Sequence, residues 1–274
     1  MPAAGEYQGG ATRLGLLDSK TAVVYGAGVI GGAVARAFAR EGAEVFLAGR
    51  NLKSLQSVSD GIVKDGGVVD VATVDALDSG SVEEHLKKVV AARGKLDVSF
   101  NLISTGVAMG SRLTQLSADQ FSKAAFSRTR SCFITSTAAA RIMSKQGSGV
   151  ILALTAPNSR QPQGETGGFS IDNAAIEALC KQLAVEAGPA GVRVVCLRTG
   201  ATPENPVLPE VFSMLAEARG ITTKEVEESE VGRTALKRFP LVAEVANAAV
   251  LMASDYASAI TATPVNATCG ELVD

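Results

Sequence analysis

The chain has 274 residues, 46% of them hydrophobic and 20% charged, with 26 Lys+Arg against 28 Asp+Glu for a net charge of −2. This composition is enough to bury a full core and excludes a disordered chain. It lacks the basic excess of a nucleic-acid surface, and no apolar run approaches the roughly 18 residues of a membrane span, so neither nucleic acid nor membrane is expected as a partner.

Residues 1–15 are polar and rich in Gly and Ala, with no apolar signal core, and read as a disordered tail. Residues 16–274 read as one domain. An apolar strand over 21–25 leads into glycines and a helical period over 33–41. Strands follow at 44–48 and 68–74, then a helix near 81–92 and a strand over 96–103. Residues 118–145 carry helical periodicity broken by turn residues, and a fifth strand spans 150–155. A helix over 171–187, a strand over 192–197, a helix over 242–254 and a strand over 263–267 complete the order. Strands alternating with helices predict an α/β fold, a Rossmann-type doubly wound parallel sheet with helices on both faces. Residues 202–238 interrupt the rhythm and predict a lid. The apolar residues Pro203, Val207, Leu208, Val211, Phe212, Met214 and Leu215 suit an apolar ligand face.

The four cysteines, Cys132, Cys180, Cys196 and Cys269, are scattered and His85 is the one histidine, so no metal site is expected. Nothing suggests a secreted disulfide scaffold, which points to thiols in a reducing cytoplasm. Cys180 shares an apolar helix stripe with Ile176, Leu183 and Ala184 and is expected to pack there. His85, within Glu83-Glu84-His85-Leu86-Lys87-Lys88, is expected to be solvated.

Gly26-Ala27-Gly28-Val29-Ile30-Gly31 is a G-x-G-x-x-G sequence placed directly after a strand and opening a helix. In that setting the first glycine makes the turn, the second lets backbone approach a pyrophosphate, and the helix N-terminus supplies N–H donors. An acidic residue about 20 positions further on would select NAD. Phe46-Leu47-Ala48-Gly49-Arg50-Asn51 has none and offers Arg50, whose fork suits a 2′-phosphate, so NADP(H) is the expected cofactor.

These segments resemble the short-chain dehydrogenase/reductase family over residues 15–274. The resemblance takes in the glycine segment with Gly49-Arg50, Val74-Asp75-Ala76 at the adenine position, and Gly94-Lys95-Leu96-Asp97-Val98 before the fourth strand. It continues through residues 184–194, 249–255 and Ile260-Thr261. It implies an NAD(P)-dependent oxidoreductase, a homodimer or homotetramer joined through the helices around 118–145 and 171–187, and cofactor contacts from Asp75, Ala76 and Asn101.

At the active-site positions the resemblance lapses. Phe169 stands at the family's catalytic tyrosine, Asn173 at its lysine, Ala156 at its serine and Arg128 at its helix asparagine. The usual mechanism needs a phenol whose pKa is lowered by an ammonium, and phenylalanine has no proton to give. Asp172 is the nearest candidate for a replacement acid or base, or else a carboxylate favoured by the helix dipole; Glu165 lies in the preceding loop. Thr155 offers a hydroxyl beside the lost serine, or packs on its strand. Arg128 holds an anionic or enolate-like oxygen, or is a surface or interface arginine. Asn173 retains hydrogen-bonding capacity toward a ribose.

Three readings remain open. The first is an atypical NADP(H)-dependent oxidoreductase acting on a small, largely apolar carbonyl or enone without the Tyr/Lys relay. The second is a non-redox cyclase, isomerase or dehydratase, and the third a non-catalytic NADP-binding sensor or partner subunit.

Overall fold

A computed structural model describes residues 15–104 and 109–273. Seven parallel strands form one sheet: β1 (Thr21–Tyr25), β2 (Glu44–Gly49), β3 (Val68–Thr73), β4 (Val98–Asn101), β5 (Gly149–Thr155), β6 (Val192–Thr199) and β7 (Thr263–Ala267), in the order β3-β2-β1-β4-β5-β6-β7. Side chains alternate across the pleat, so one strand feeds two cores. Ala22 and Val24 of β1 join the core beneath α1 (Val29–Arg40), α2 (Leu52–Lys64) and α8 (Val242–Ala253). Val23 and Tyr25 join the opposite core, beneath α3 (Ser79–Arg93), α4 (Ala118–Gln146) and α5 (Phe169–Ala187). Fully buried side chains such as Phe38, Leu47 and Phe100 each contribute about 1.5–3 kcal/mol relative to exposure.

The doubly wound parallel sheet is as the sequence reading expects. Four local details differ. Helix α2 was not anticipated, although Asn51 caps it by accepting from the Ser54 N–H at 3.1 Å and Leu55, Val58 and Ile62 form its buried stripe. Helix α4 runs unbroken for 29 residues. Its hydroxyls do not interrupt it because they bond back to carbonyls one turn earlier, Thr135 to Ser131 at 2.9 Å and Thr137 to Phe133 at 2.7 Å. Gly147, at φ 82°, ends it. Of the segment expected to be a tail, residues 1–14 lie outside the described residues, while Gly15 packs against the Glu41 backbone.

His85 is buried rather than solvated, at 7% exposure. It stands three residues after Val82 and four before Val89, on the stripe of α3 that faces the sheet. Its ring meets Tyr25 edge-on with centroids 6.2 Å apart, and both His85 Nε2 and the Tyr25 hydroxyl are buried without a hydrogen-bond partner. Burial pulls the imidazole below its ordinary pKa and pushes the phenol above its own. The cysteines are free, and Cys180 packs with Ile176, Leu183 and Ala184.

Residues 202–238 contain two helices, α6 (Leu208–Arg219) and α7 (Thr223–Arg233). No helix of the described residues is long and apolar enough to cross a membrane.

Candidate active site

The sheet winds outward in both directions from β1 and β4, and the crevice beyond their C-terminal ends is where such sheets receive ligands. A cavity of about 500 Å³ opens there, running from the glycine turn to the start of α5 and under α6. At the turn, Gly26 has φ 108°, a conformation that favours glycine. A Cβ on Gly31 would collide with the Gly26 carbonyl, whereas a Cβ on Gly28 would meet nothing within 4 Å. Gly28 is the N-cap of α1 and supplies no side-chain cap, which leaves first-turn N–H groups for a ligand. This end is built from backbone, and it fits a pyrophosphate. Gly28, Val29, Ile30 and Gly31 all line the cavity.

Arg50, Asn51, Asp75 and Ala76 lie beyond the cavity wall, after β2 and β3. Arg50 is exposed, and Asn51 is occupied as the α2 cap. Asp75 Oδ1 accepts the Leu77 N–H at 3.0 Å, shaping the turn that carries buried Ala76. Asn101 lines the cavity with its amide fixed: Nδ2 donates to Thr135 Oγ1 at 2.9 Å and Oδ1 accepts from the Ile103 N–H at 3.2 Å.

Helix α5 builds the other end. Phe169 and Asn173, one turn apart, both line the cavity. Arg128 reaches across from α4 and fills the space between them. Its Nη1 donates to Asn173 Oδ1 at 3.2 Å and Asp172 Oδ2 at 3.1 Å, and its Nη2 donates to the Leu154 carbonyl at 2.9 Å. The guanidinium carbon stands 5.6 Å from the Phe169 ring centroid. Among the described residues, Nε–H and one Nη2–H of Arg128 remain without an acceptor. Burial lowers its pKa while Asp172 opposes that fall. Arg128 is therefore a cavity-lining cation, not a surface arginine.

Asp172 is placed differently from the expectation of a replacement acid or base. It is 0% exposed, and its Oδ1 accepts from the Thr129 N–H at 3.0 Å and hydroxyl at 2.7 Å while Oδ2 takes Arg128. At i+3 from Phe169 it faces α4 instead of the cavity, and its work is to hold the guanidinium in place. Asn173 is similarly occupied, accepting from the Ala156 N–H at 3.1 Å and donating to the Phe169 carbonyl at 2.8 Å. Thr155 lines the cavity but turns its hydroxyl to Glu177 Oε1 at 3.2 Å. Glu165 pairs outward with Arg112 at 3.2 Å.

Beneath this end lies a pair the sequence reading missed. Arg198, at 0% exposure, binds Glu177 in fork geometry, Nε to Oε1 at 3.0 Å and Nη2 to Oε2 at 3.1 Å. Ser159 adds a 2.6 Å hydrogen bond to Glu177, so β5, β6, α5 and the loop after β5 meet at one carboxylate.

Val207, Leu208, Val211, Phe212 and Leu215 cover the cavity with apolar surface; Pro203 and Met214 do not line it. Hydrogen bonds through Gln163 tie this cover to the rim, and Glu230 joins the pieces of the cover itself. Arg219 of α6 donates to Gln163 at 3.1 Å, Gln163 donates to Glu230 of α7 at 3.1 Å, and Arg233 donates to Glu230 at 3.3 Å. Glu230 and Glu271, which the sequence reading did not single out, line the cavity, as does the buried thiol of Cys132. Burial pushes the Glu271 carboxyl up to about 7 against the opposing pull of Arg233. Among the described residues lining the cavity there is no tyrosine, lysine or histidine.

The profile of the family described as enoyl-(acyl carrier protein) reductase matches residues 26–270. The uncharacterized oxidoreductase YxbG of Bacillus subtilis (strain 168) is 28% identical over 259 residues, covering 94% of this chain and 92% of that protein. The crystal structure of NAD+-bound xylitol dehydrogenase superposes with a TM-score of 0.86 at 21% identity, covering 91% of this chain and 98% of that one. A variant of actinorhodin polyketide ketoreductase with NADPH gives 0.82 at 23% identity, covering 92% and 96%.

Proposed function

The chain belongs to the short-chain dehydrogenase/reductase family of oxidoreductases, and on that premise we propose that it is an NADP(H)-dependent reductase of a small, largely apolar carbonyl compound, an enone above all. The observation that carries this reading is Arg128, a permanent cation with two unused N–H groups, standing in the cavity between Phe169 and Asn173.

The Gly26–Gly31 turn and the α1 N-terminus would hold the pyrophosphate, Arg50 the 2′-phosphate, and Asp75 and Ala76 the adenine side. NADPH, when bound, supplies a hydride. The Arg128 guanidinium polarises the substrate carbonyl and takes up the negative charge that develops on its oxygen. A hydride added to the β-carbon of an enone leaves an enolate, which Arg128 holds until water protonates it. A simple ketone would need a proton at once on the alkoxide, and Phe169 has none. Removal of general acid–base help is worth about 10²–10⁴ in rate, so the site favours the enone. Phe169 and the α6 face give the apolar body of the substrate a surface to pack on, α6 and α7 acting as a lid.

The test is calorimetry with NADPH, NADP, NADH and NAD, followed by NADPH oxidation with a panel of enones and ketones. NADPH is expected to bind at micromolar level, with Arg50→Ala weakening it about tenfold while leaving NADH unchanged, a difference of about 1.4 kcal/mol. Gly28→Ala should fold normally, since its Cβ meets nothing, and lose the cofactor. Binding of none of the four nucleotides would sink the proposal, and ketones turning over faster than enones would overturn the role given to Arg128.

A further inference from the structure

Where the cover meets the end of β6, one carboxyl group has no task in the mechanism above. The Glu271 side chain is 8% exposed, and its Oε1 lies 3.7 Å from Arg233 Nη2, too far for a hydrogen bond. Among the described residues no hydrogen bond reaches either of its oxygens, whereas the neighbouring Glu230 accepts from Gln163 and Arg233. Oε2 occupies the space that a side chain at Gly200 would fill, 2.8 Å from the position of its Cβ. A largely buried carboxyl group that lines a cavity and receives no hydrogen bond from the protein is open to a ligand's donor.

We propose that Glu271 is the polar anchor for the substrate, taking a hydroxyl group carried by an apolar molecule at a point distinct from Arg128. This rests on the reading that the cavity holds the substrate. The apolar body would lie against Leu208, Val211, Phe212 and Leu215. The charged groups facing this corner choose among polar groups. Arg233 and Arg219 approach Glu230 at 3.3 and 3.6 Å and would repel an ammonium, while Glu230 and Glu271 would repel a carboxylate. A hydroxyl is opposed by neither. Because burial holds Glu271 near its midpoint at neutral pH, it serves a hydroxyl in both forms: ionised it accepts the O–H, protonated it donates to the oxygen. The substrate class that follows is an apolar carbonyl compound bearing a hydroxyl.

Octan-1-ol, octylamine and octanoate, titrated calorimetrically into the full chain at pH 6 and pH 8, test the anchor without any redox step. The part of the affinity that depends on Glu271 should be largest for octan-1-ol and nearly equal at the two pH values, whereas octanoate can also reach Arg128. Glu271→Met should weaken octan-1-ol binding about tenfold, which corresponds to 1.4 kcal/mol, while Glu271→Gln, which keeps hydrogen-bonding capacity, should stay within about threefold. In ¹³C-carboxyl-labelled protein, one glutamate resonance should titrate near neutral pH, move when octan-1-ol is added, and vanish in Glu271→Gln. Binding of octylamine or octanoate that Glu271→Met weakens more than it weakens octan-1-ol, no binding of octan-1-ol, or an octan-1-ol affinity unchanged in Glu271→Met would overturn the proposal. Glu271-dependent binding in a chain that takes no NADPH would keep the anchor and sink the redox reading. Enone reduction with octan-1-ol indifferent to Glu271 would do the reverse.

Discussion

The two ends of the cavity are built in opposite ways. At the glycine turn the binding groups are backbone N–H donors, positioned by φ angles and by the absence of side chains at Gly26, Gly28 and Gly31. At the α5 end they are side chains from α4, α5, β5 and β6, positioned by one another through buried charge. A backbone site depends on a short stretch of sequence and a helix start. A side-chain site depends on residues far apart in the chain, and it changes when any of them changes.

The strongest test of that contrast is to break the charge beneath α5. Arg198→Met leaves Glu177 buried and unpaired and should cost about 3–5 kcal/mol in urea denaturation. The double variant Arg198→Met/Glu177→Leu should recover part of it, though not all, because the Thr155 and Ser159 hydroxyls lose their acceptor. A loss below 1 kcal/mol in the single variant would mean that this end is not held by charge. No substitution in the glycine turn that fits sterically should approach that cost.

A smaller effect sharpens the comparison at Asn173. Asn173→Lys would place an ammonium where Arg128 Nη1 now donates at 3.2 Å. It should destabilise the chain by about 1–2 kcal/mol, and Arg128→Asn in the same molecule should relieve it, giving a double-mutant coupling of about 1 kcal/mol. Additive effects would show that the two positions do not share one cation site.

The smallest expected effect is a pH dependence at His85, on the core beside β1. Its folded pKa is depressed by burial, so the unfolded chain binds more protons as pH falls below about 6.5 and stability should drop there. The slope from one such group cannot exceed about 1.4 kcal/mol per pH unit. Thermal unfolding of His85→Phe between pH 7 and pH 5 should lack that component; identical profiles would show that the imidazole does not titrate on unfolding.

The strands and the glycine turn were legible in the sequence because each is encoded locally: a run of apolar residues, a spacing of glycines, a helix opening. The unbroken course of α4 was not, because serine and threonine read as breakers until their hydroxyls are seen bonding one turn back. His85 was misread because its charged neighbours masked its place on the Val82–Val89 stripe. The α5 end was legible only as substitutions at Phe169, Asn173 and Arg128. That Asp172 faces α4 and steadies Arg128 depends on how two helices pack together, bringing Asp172 onto Thr129, a residue 43 positions earlier in the chain. The Arg198–Glu177 fork and Glu271 gave no signal, since nothing in a lone arginine or glutamate announces that folding will bury it.

The cover of the cavity is apolar beneath and ionic along its edge. Arg219 of α6 stands 3.8 Å from Glu165 and Arg233 of α7 3.7 Å from Glu271, with the two arginine side chains only 21% and 29% exposed, and both arginines also pair with Glu230 inside the cover. Added salt screens such ties at a Debye length of about 8 Å in physiological buffer and about 3 Å at 1 M, while it leaves the apolar contacts beneath intact or strengthens them. Ionic strength therefore acts on the two faces of one element in opposite directions: a ligand under the cover gains nothing in departure time from the contacts that hold it tightly if the fastenings above it have been loosened.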